Sequence, residues 1–175
     1  MPRRGLSEKL IVVTRPRARA DALLRGLKRE GARVLAFPTI RVAPPRSTKA
    51  LDRALRGLSG YDAVLFTSVN AVESFFARAK ALKLAARRPE RIGAVGPATA
   101  EALERRGWKS ALVPEIFDGG SLARAFKNAR GLRVLRPRAA KGREELARRL
   151  ARAGAIVEQA AAYRTVPEAR HAAAL

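Results

Sequence analysis

The sequence predicts an α/β fold with mainly parallel strands, and three observations carry that prediction. Short apolar runs recur along the chain. Each leads through a polar or small-residue turn into a helical pattern, and glycine closes three of those helices before the next apolar run. The first run, Leu10 to Val13, passes Thr14-Arg15-Pro16 into a helix from about Ala18 to Glu30, then Gly31 and a strand from Arg33 to Phe37. Next, Ala63 to Phe66 is apolar without gaps, as a parallel strand covered on both faces requires. It ends in Thr67-Ser68-Val69-Asn70, and Asn70 followed by Glu73 has capping-box spacing. Thr67, Ser68 and Asn70 then stand at a strand-to-helix turn, where open α/β sheets hold ligands on hydroxyls, side-chain amides and free N–H groups. The same residues also suit a plain helix cap.

Ile92 to Val95 leads into Gly96-Pro97-Ala98-Thr99 and a helix to Arg106, with Gly96 at the cap and Pro97 at the first helical position, where its missing N–H costs nothing. Gly107 closes that helix and a weaker strand, Ser110 to Val113, follows. Asp118-Gly119-Gly120-Ser121 is a turn capping a short helix, Leu122 to Ala129; its glycines also let backbone N–H groups near a ligand, but turn and cap is the preferred assignment. Leu132 to Leu135 precedes the basic stretch Arg136 to Arg143, a helix to about Ala153, Gly154 and a strand from Ala155 to Ala162. Neither a G-x-G-x-x-G turn nor a Walker loop is present to hold a nucleotide.

Two extended segments that both end in proline, Phe37 to Pro45 and Glu158 to Pro167, bracket everything between them. If they pair as an antiparallel ribbon, residues 46–157 make a complete α/β domain. Residues 1–37 are then only the opening strand-helix-strand of another, and 168–175 the start of a return to it. So small a sheet cannot bury helices on both faces, so that first domain is expected to be incomplete in this chain.

Composition narrows function by exclusion. With 37 Lys and Arg against 15 Asp and Glu, the net charge is +22, which points to an anionic partner without choosing between nucleic acid, membrane and a small polyanion. Cysteine is absent, which removes disulfides, thiol nucleophiles and Cys metal sites. The single histidine, His171, lies in an alanine-rich tail and is expected to be a bystander; metal sites and a Ser-His-Asp triad are not expected. The apolar runs are far shorter than the ~18 residues of a membrane span. A cytoplasmic protein is the expectation.

Taken in order, Thr14-Arg15-Pro16, Phe37-Pro38, Phe66-Thr67-Ser68-x-Asn70-Ala71-Val72, Val95-Gly96-x-x-Thr99, Leu135-Arg136 with Gly142-Arg143-x-x-Leu146, and Tyr163-Arg164-Thr165 resemble the uroporphyrinogen-III synthase family over essentially the whole chain. That resemblance implies two flavodoxin-like parallel-sheet domains joined by a two-stranded β ribbon, Thr39 to Pro45 with Gln159 to Thr165. It also implies an active site in the cleft between the domains, no cofactor and no metal. The carboxyl-terminal part that completes the family's first domain is missing here, which puts catalytic competence in question.

By the same resemblance the substrate is hydroxymethylbilane, an eight-carboxylate linear tetrapyrrole, which loses its hydroxyl and closes to uroporphyrinogen III with its last ring inverted. An electron-rich pyrrole expels that hydroxyl with help from a mild acid, and a tyrosine, protonated at neutral pH as a residue type, suffices. Tyr163 matches the family's ribbon tyrosine and is the catalytic candidate; packing the hinge is its structural alternative. Thr14, Ser68, Asn70, Gly96 and Thr99 are candidate substrate holders at strand ends and helix N-termini, which favour carboxylates. Arg15, Arg138 and Arg143 are candidates to pair with substrate acids, a solvated surface role being equally open for each. A monomer is expected. The rivals are a non-catalytic truncated α/β domain and a basic module binding nucleic acid without sequence preference. Aromatics make up only 5% of the chain and do not interleave with a basic stripe, so specific nucleic-acid binding is not expected.

Overall fold

The computed structural model describes residues 5–16 and 20–168; His171 and the return segment 169–175 lie outside them. The described residues fall into two compact units, one of 5–16, 20–43 and 165–168, the other of 44–164. In the first unit β1 (Leu10–Val13) and β2 (Arg33–Ala36) pair in parallel, Leu10 opposite Arg33 and Val13 opposite Ala36, with α1 (Asp21–Arg29) between them in sequence. Gly31 closes α1 at φ 89°, a left-handed backbone that a β-carbon resists. Half or more of the surface of Leu10, Val12 and Leu35 remains exposed. The unit also holds β3 (Ile40–Ala43) and the last residues of β7 (Ile156–Pro167), where the Glu168 N–H donates to the Thr39 carbonyl at 2.9 Å.

The second unit alternates helix and strand: α2 (Lys49–Arg56), β4 (Ala63–Phe66), α3 (Val69–Ala81), β5 (Arg91–Ala94), α4 (Pro97–Glu104), α5 (Gly119–Ala125), β6 (Arg133–Ala139), α6 (Glu145–Arg152) and most of β7. Its strands lie side by side in the order β5-β4-β6-β7, all parallel. The first strand in sequence, β4, thus has later strands on both sides. Side chains alternate between two cores, as strand geometry requires. Val64, Phe66 and Leu135 meet α2, α3 and α4 on one face, and Ala63, Leu65 and Val134 meet α5 and α6 on the other. All four residues of β4 are fully buried, which is why that run has no polar member. Edge-to-face contacts among Phe66, Phe75, Phe76 and Trp108 fill the first core, at centroid separations of 5.0 to 6.5 Å.

Local chemistry moves several boundaries from their expected places. Ser68, not Asn70, caps α3: its Oγ accepts the Ala71 N–H at 3.1 Å, while Asn70 is already helical and Glu73 pairs with Arg106 instead of closing a capping box. The strand expected at Ser110 to Val113 shrinks to one parallel bridge, Gly93 with Leu112, because Pro114 follows directly and cannot extend a ladder. The helix expected from Leu122 to Ala129 begins at Gly119 and ends at Ala125, Asp118 Oδ1 accepting the Ser121 N–H at 2.6 Å. A β-carbon on Gly119 or Gly120 would sit 3.3 Å from Leu146 or 2.7 Å from Glu145, so those glycines admit α6. Strand β6 does not stop at Leu135. It continues through the basic stretch to Ala139 because β7 stays in register beside it, Arg136 opposite Gln159 and Arg138 opposite Ala161. Pro137 lies beyond the last residue paired with β4, where a missing N–H breaks no ladder on that side. Among the described residues no helix is long and apolar enough to cross a membrane.

Candidate functional site

Parallel strands deliver their carboxyl ends to one edge, and in the second unit that edge carries Ser68 after β4, Gly96 after β5, Arg136 to Arg143 at the end of β6, and Tyr163 near the end of β7. Helix α3 leaves β4 toward one face and α6 leaves β6 toward the other. Adjacent strands whose following helices diverge leave a crevice outside their carboxyl ends. Ser68 and Tyr163 meet there, Oγ and Oη 3.2 Å apart, although 95 residues separate them in sequence. Tyr163 is 9% exposed, its ring packed into the core with Phe66 and Phe75. Either hydroxyl can donate in this pair, since Ser68 Oγ keeps a second lone pair beside the one that accepts the Ala71 N–H; with Ser68 donating, the Tyr163 proton is left for a third group. Donors chained in this way polarise one another.

Two further predicted holders flank this pair. Asn70 is half-buried in the first turn of α3, where N–H groups have no intrahelical acceptor. Gly96 caps α4 with Pro97 at its first position, and a β-carbon there would sit 3.1 Å from the ring of Phe117. Thr99 is buried one turn into α4. Thr14 and Arg15 belong to the first unit, exposed after β1. Arg143 is exposed, and its carbonyl accepts from Arg136 Nη2 at 2.7 Å.

Arg138 is not solvated: its guanidinium pairs with Glu144 and donates to the Gly142 carbonyl at 3.1 Å and to Gln159 Oε1 at 3.3 Å. Arg136, two residues earlier on the same strand face, is 4% exposed and donates to Gln159 Oε1 at 2.8 Å. Burial, then the neighbouring charge of Arg138, lowers the pKa of Arg136 against the pull of Glu144. A hydrogen bond from Gln159, at 2.8 Å, holds the Glu144 carboxyl below its usual range, with the two arginines assisting and burial opposing. Arg136, Glu144 and Gln159 were not among the predicted site residues. The signal that would have found them is the alternation Arg136-Pro137-Arg138, which puts two cations on one face of a strand. Arg105, Arg106, Arg148 and Arg149 are exposed, with Arg105 paired to Glu101, Arg106 to Glu73 and Arg149 to Glu145. Two surface hollows of this unit, about 720 Å³ beside Phe76 and Trp108 and about 290 Å³ beside Phe126, include none of the predicted residues.

Comparison with known proteins gives a concordant result. A family model described as uroporphyrinogen-III synthase HemD matches residues 21–175. Uroporphyrinogen-III synthase of Synechococcus elongatus is 33% identical over 166 residues, covering 93% of this chain and 63% of that protein. A putative uroporphyrinogen-III synthase of Methanothermobacter thermautotrophicus is 32% identical, covering 90% of this chain and 63% of the relative. This chain thus spans somewhat under two thirds of the length of these relatives. Among solved structures, a mutant uroporphyrinogen III synthase of Thermus thermophilus superposes with a TM-score of 0.70 at 23% identity, over 91% of this chain and 64% of that one. These structures share its mixed α/β fold with mainly parallel sheets.

Proposed function

The chain belongs to the uroporphyrinogen-III synthase family, and from that premise we propose that it cyclises hydroxymethylbilane to uroporphyrinogen III with inversion of the last pyrrole ring. The observation that supports this most directly is the Ser68–Tyr163 pair, 3.2 Å apart at the carboxyl edge of the sheet. In the proposed reaction the phenol donates its proton to the hydroxyl as the carbon–oxygen bond breaks. Water leaves, and the electrons come from the adjoining pyrrole, so no stronger acid is needed. The cation that remains is attacked through the substituted carbon of the last ring; the bond from that carbon to its bridging methylene then breaks and re-forms at the ring's free α-carbon, which gives up the proton that restores the phenol. Direct closure without inversion competes, so holding the chain folded is the larger share of catalysis. Asn70, Gly96, Thr99 and the first-turn amides of α3 and α4 are the proposed holders of substrate carboxylates, with Thr14, Arg15, Arg138 and Arg143 as further contacts.

The finer architecture is proposed in the same way: two flavodoxin-like domains joined by a ribbon. The order β5-β4-β6-β7, with the first strand inside, supports the flavodoxin-like half. For the ribbon, Glu168 bonds to Thr39 and Arg164 Nε donates to the Pro44 carbonyl at 3.0 Å, so one segment rises as the other descends. Against base stacking on nucleic acid stands the burial of Trp108, Tyr61 and Tyr163.

The test is to incubate freshly prepared hydroxymethylbilane with the protein and separate the type III and type I products. Type III in excess over the uncatalysed background supports the proposal. Type I alone at the spontaneous rate refutes activity of this chain.

A further inference from the structure

The end of β6 holds a charge imbalance that the fold does not resolve. Arg136 and Arg138 bring two positive charges, their side chains 5% and 13% exposed, and Glu144 alone pairs with both, at 3.7 Å from Arg136 and in direct contact with Arg138. The Nε–H of each arginine is buried and meets no acceptor. An unsatisfied donor on a buried cation is costly, and structures that retain one commonly use it. Gln159 cannot cure the deficit: its Oε1 already accepts from both arginines and its Nε2 donates to Glu144. Glu144, its side chain 42% exposed, is far more open to water than either arginine, and it sits in the β6–α6 connection. These arginines reach the carbonyls of Gly142 and Arg143 in that connection.

The geometry points to Glu144 as a placeholder for a carboxylate of the ligand: an entering carboxylate takes over Arg138, Glu144 swings to solvent, and the unpartnered Nε–H groups gain an acceptor. Position favours this. The Ala140 N–H donates to the Tyr163 carbonyl at 2.8 Å, so the arginine cluster and the proposed acid share one edge of the sheet, approached from opposite faces. The exchange makes Glu144 a selectivity residue, because a ligand without a carboxylate at that point cannot displace it. The ligand class rests on the proposed function; the exchange itself rests on the cluster.

The experiment compares Glu144→Gln with Glu145→Gln. The second variant makes the same change in net charge one residue away, on a side chain paired with Arg149. Uroporphyrin III, the stable oxidised form of the proposed product, is titrated by fluorescence. In parallel, citrate is titrated by the chemical shifts of arginine Nε–H groups, which reports on the cluster whether or not porphyrin binds. Glu144→Gln should tighten both ligands about five- to tenfold, the scale of one net hydrogen bond no longer contested, and Glu145→Gln less than twofold. Adding Arg138→Gln should abolish the gain. Equal effects of the two glutamate variants on citrate, or weaker binding in Glu144→Gln, overturn the exchange. Porphyrin binding absent while citrate behaves as expected would instead count against the proposed substrate.

Discussion

Replacing Tyr163 by Phe separates an acid from a piece of packing, because the structure sets very different sizes for the two effects. The ring stays: it is buried among apolar neighbours, and Phe fills the same volume. What is lost is one hydrogen bond to Ser68 whose 3.2 Å length is well beyond the usual 2.7 to 2.8 Å for two hydroxyls. Ser68 keeps the Ala71 N–H on its oxygen and, being half-buried, can turn its own proton to water. The stability loss should therefore be about 0.5–1 kcal/mol, near the low end for a hydrogen bond, or roughly 1–4 °C in melting temperature for a chain of this length. Loss of a general acid, by contrast, should slow type III formation about a hundred- to a thousandfold. Urea unfolding followed by circular dichroism gives the first quantity, and single-turnover product analysis the second. As a companion, Ser68→Ala removes the cap of α3 and should cost more stability, about 1 kcal/mol from the cap alone, yet less rate. Undiminished turnover in Tyr163→Phe at near-normal stability would remove the phenol from the chemistry.

Gly93→Ala should destabilise, since its β-carbon would lie 2.5 Å from Leu65 Cδ2 and 3.3 Å from Leu122 in a closed core. Overpacking of about 1–3 kcal/mol, offset by about 0.5–1 kcal/mol from the stiffer backbone, leaves a net loss visible as a melting shift of a few degrees. Asp52 supplies a pH test: the bidentate hydrogen bond from Arg78, at 2.6 and 2.7 Å, is the main cause holding its carboxyl below the usual range. A carboxyl lowered by folding stabilises fully above its unfolded value of about 3.9 and ceases to do so as pH falls through the folded one. Asp52→Asn should thus lower the urea midpoint at neutral pH, by about 1 kcal/mol after solvent screening, and flatten its decline below pH 4.

How much could be read from the sequence depended on whether the cause was local. Ala63 to Phe66 was legible as a doubly covered strand because burial on both faces forbids any polar residue, and Gly31, Gly107 and Gly154 were legible as helix ends because φ near +80° selects glycine. Helix α2 was not anticipated. The charged half of β6 reads as a loop because Arg-Pro-Arg has the composition of a turn; only β7 in register beside it and the acceptors Glu144 and Gln159 make it a strand. Asn70 and Glu73 had the right spacing for a cap, but Ser68, two residues earlier with an extended backbone, took the position first. As for the site, each residue type at the strand ends was visible, whereas the buried cation pair was a tertiary fact.

The meeting of Ser68 and Tyr163 follows from register, and one residue between them controls it. Val64 lies opposite Leu135, so the same offset places Ser68 level with Ala139, and Ala139 in turn lies opposite Tyr163 across a register shift. Two strand spacings of about 4.8 Å separate the serine and tyrosine backbones. Tyr163 starts opposite Ala139, whose methyl group packs against the core that holds the ring, so we place Ala139 beneath the path from Tyr163 to Ser68. Ala139→Leu places a branched side chain where the ring must pass, and no rotation of Ser68 alone can restore contact. The phenol should lose its partner while the serine keeps the helix cap, so α3 remains intact and the melting temperature falls only as far as overpacking requires, about 1–3 kcal/mol. Type III formation should fall as in Tyr163→Phe, and combining the two substitutions should add little, because both remove the same donor. Full additivity of the two rate losses would mean that Ala139→Leu slows the reaction by a route other than the phenol.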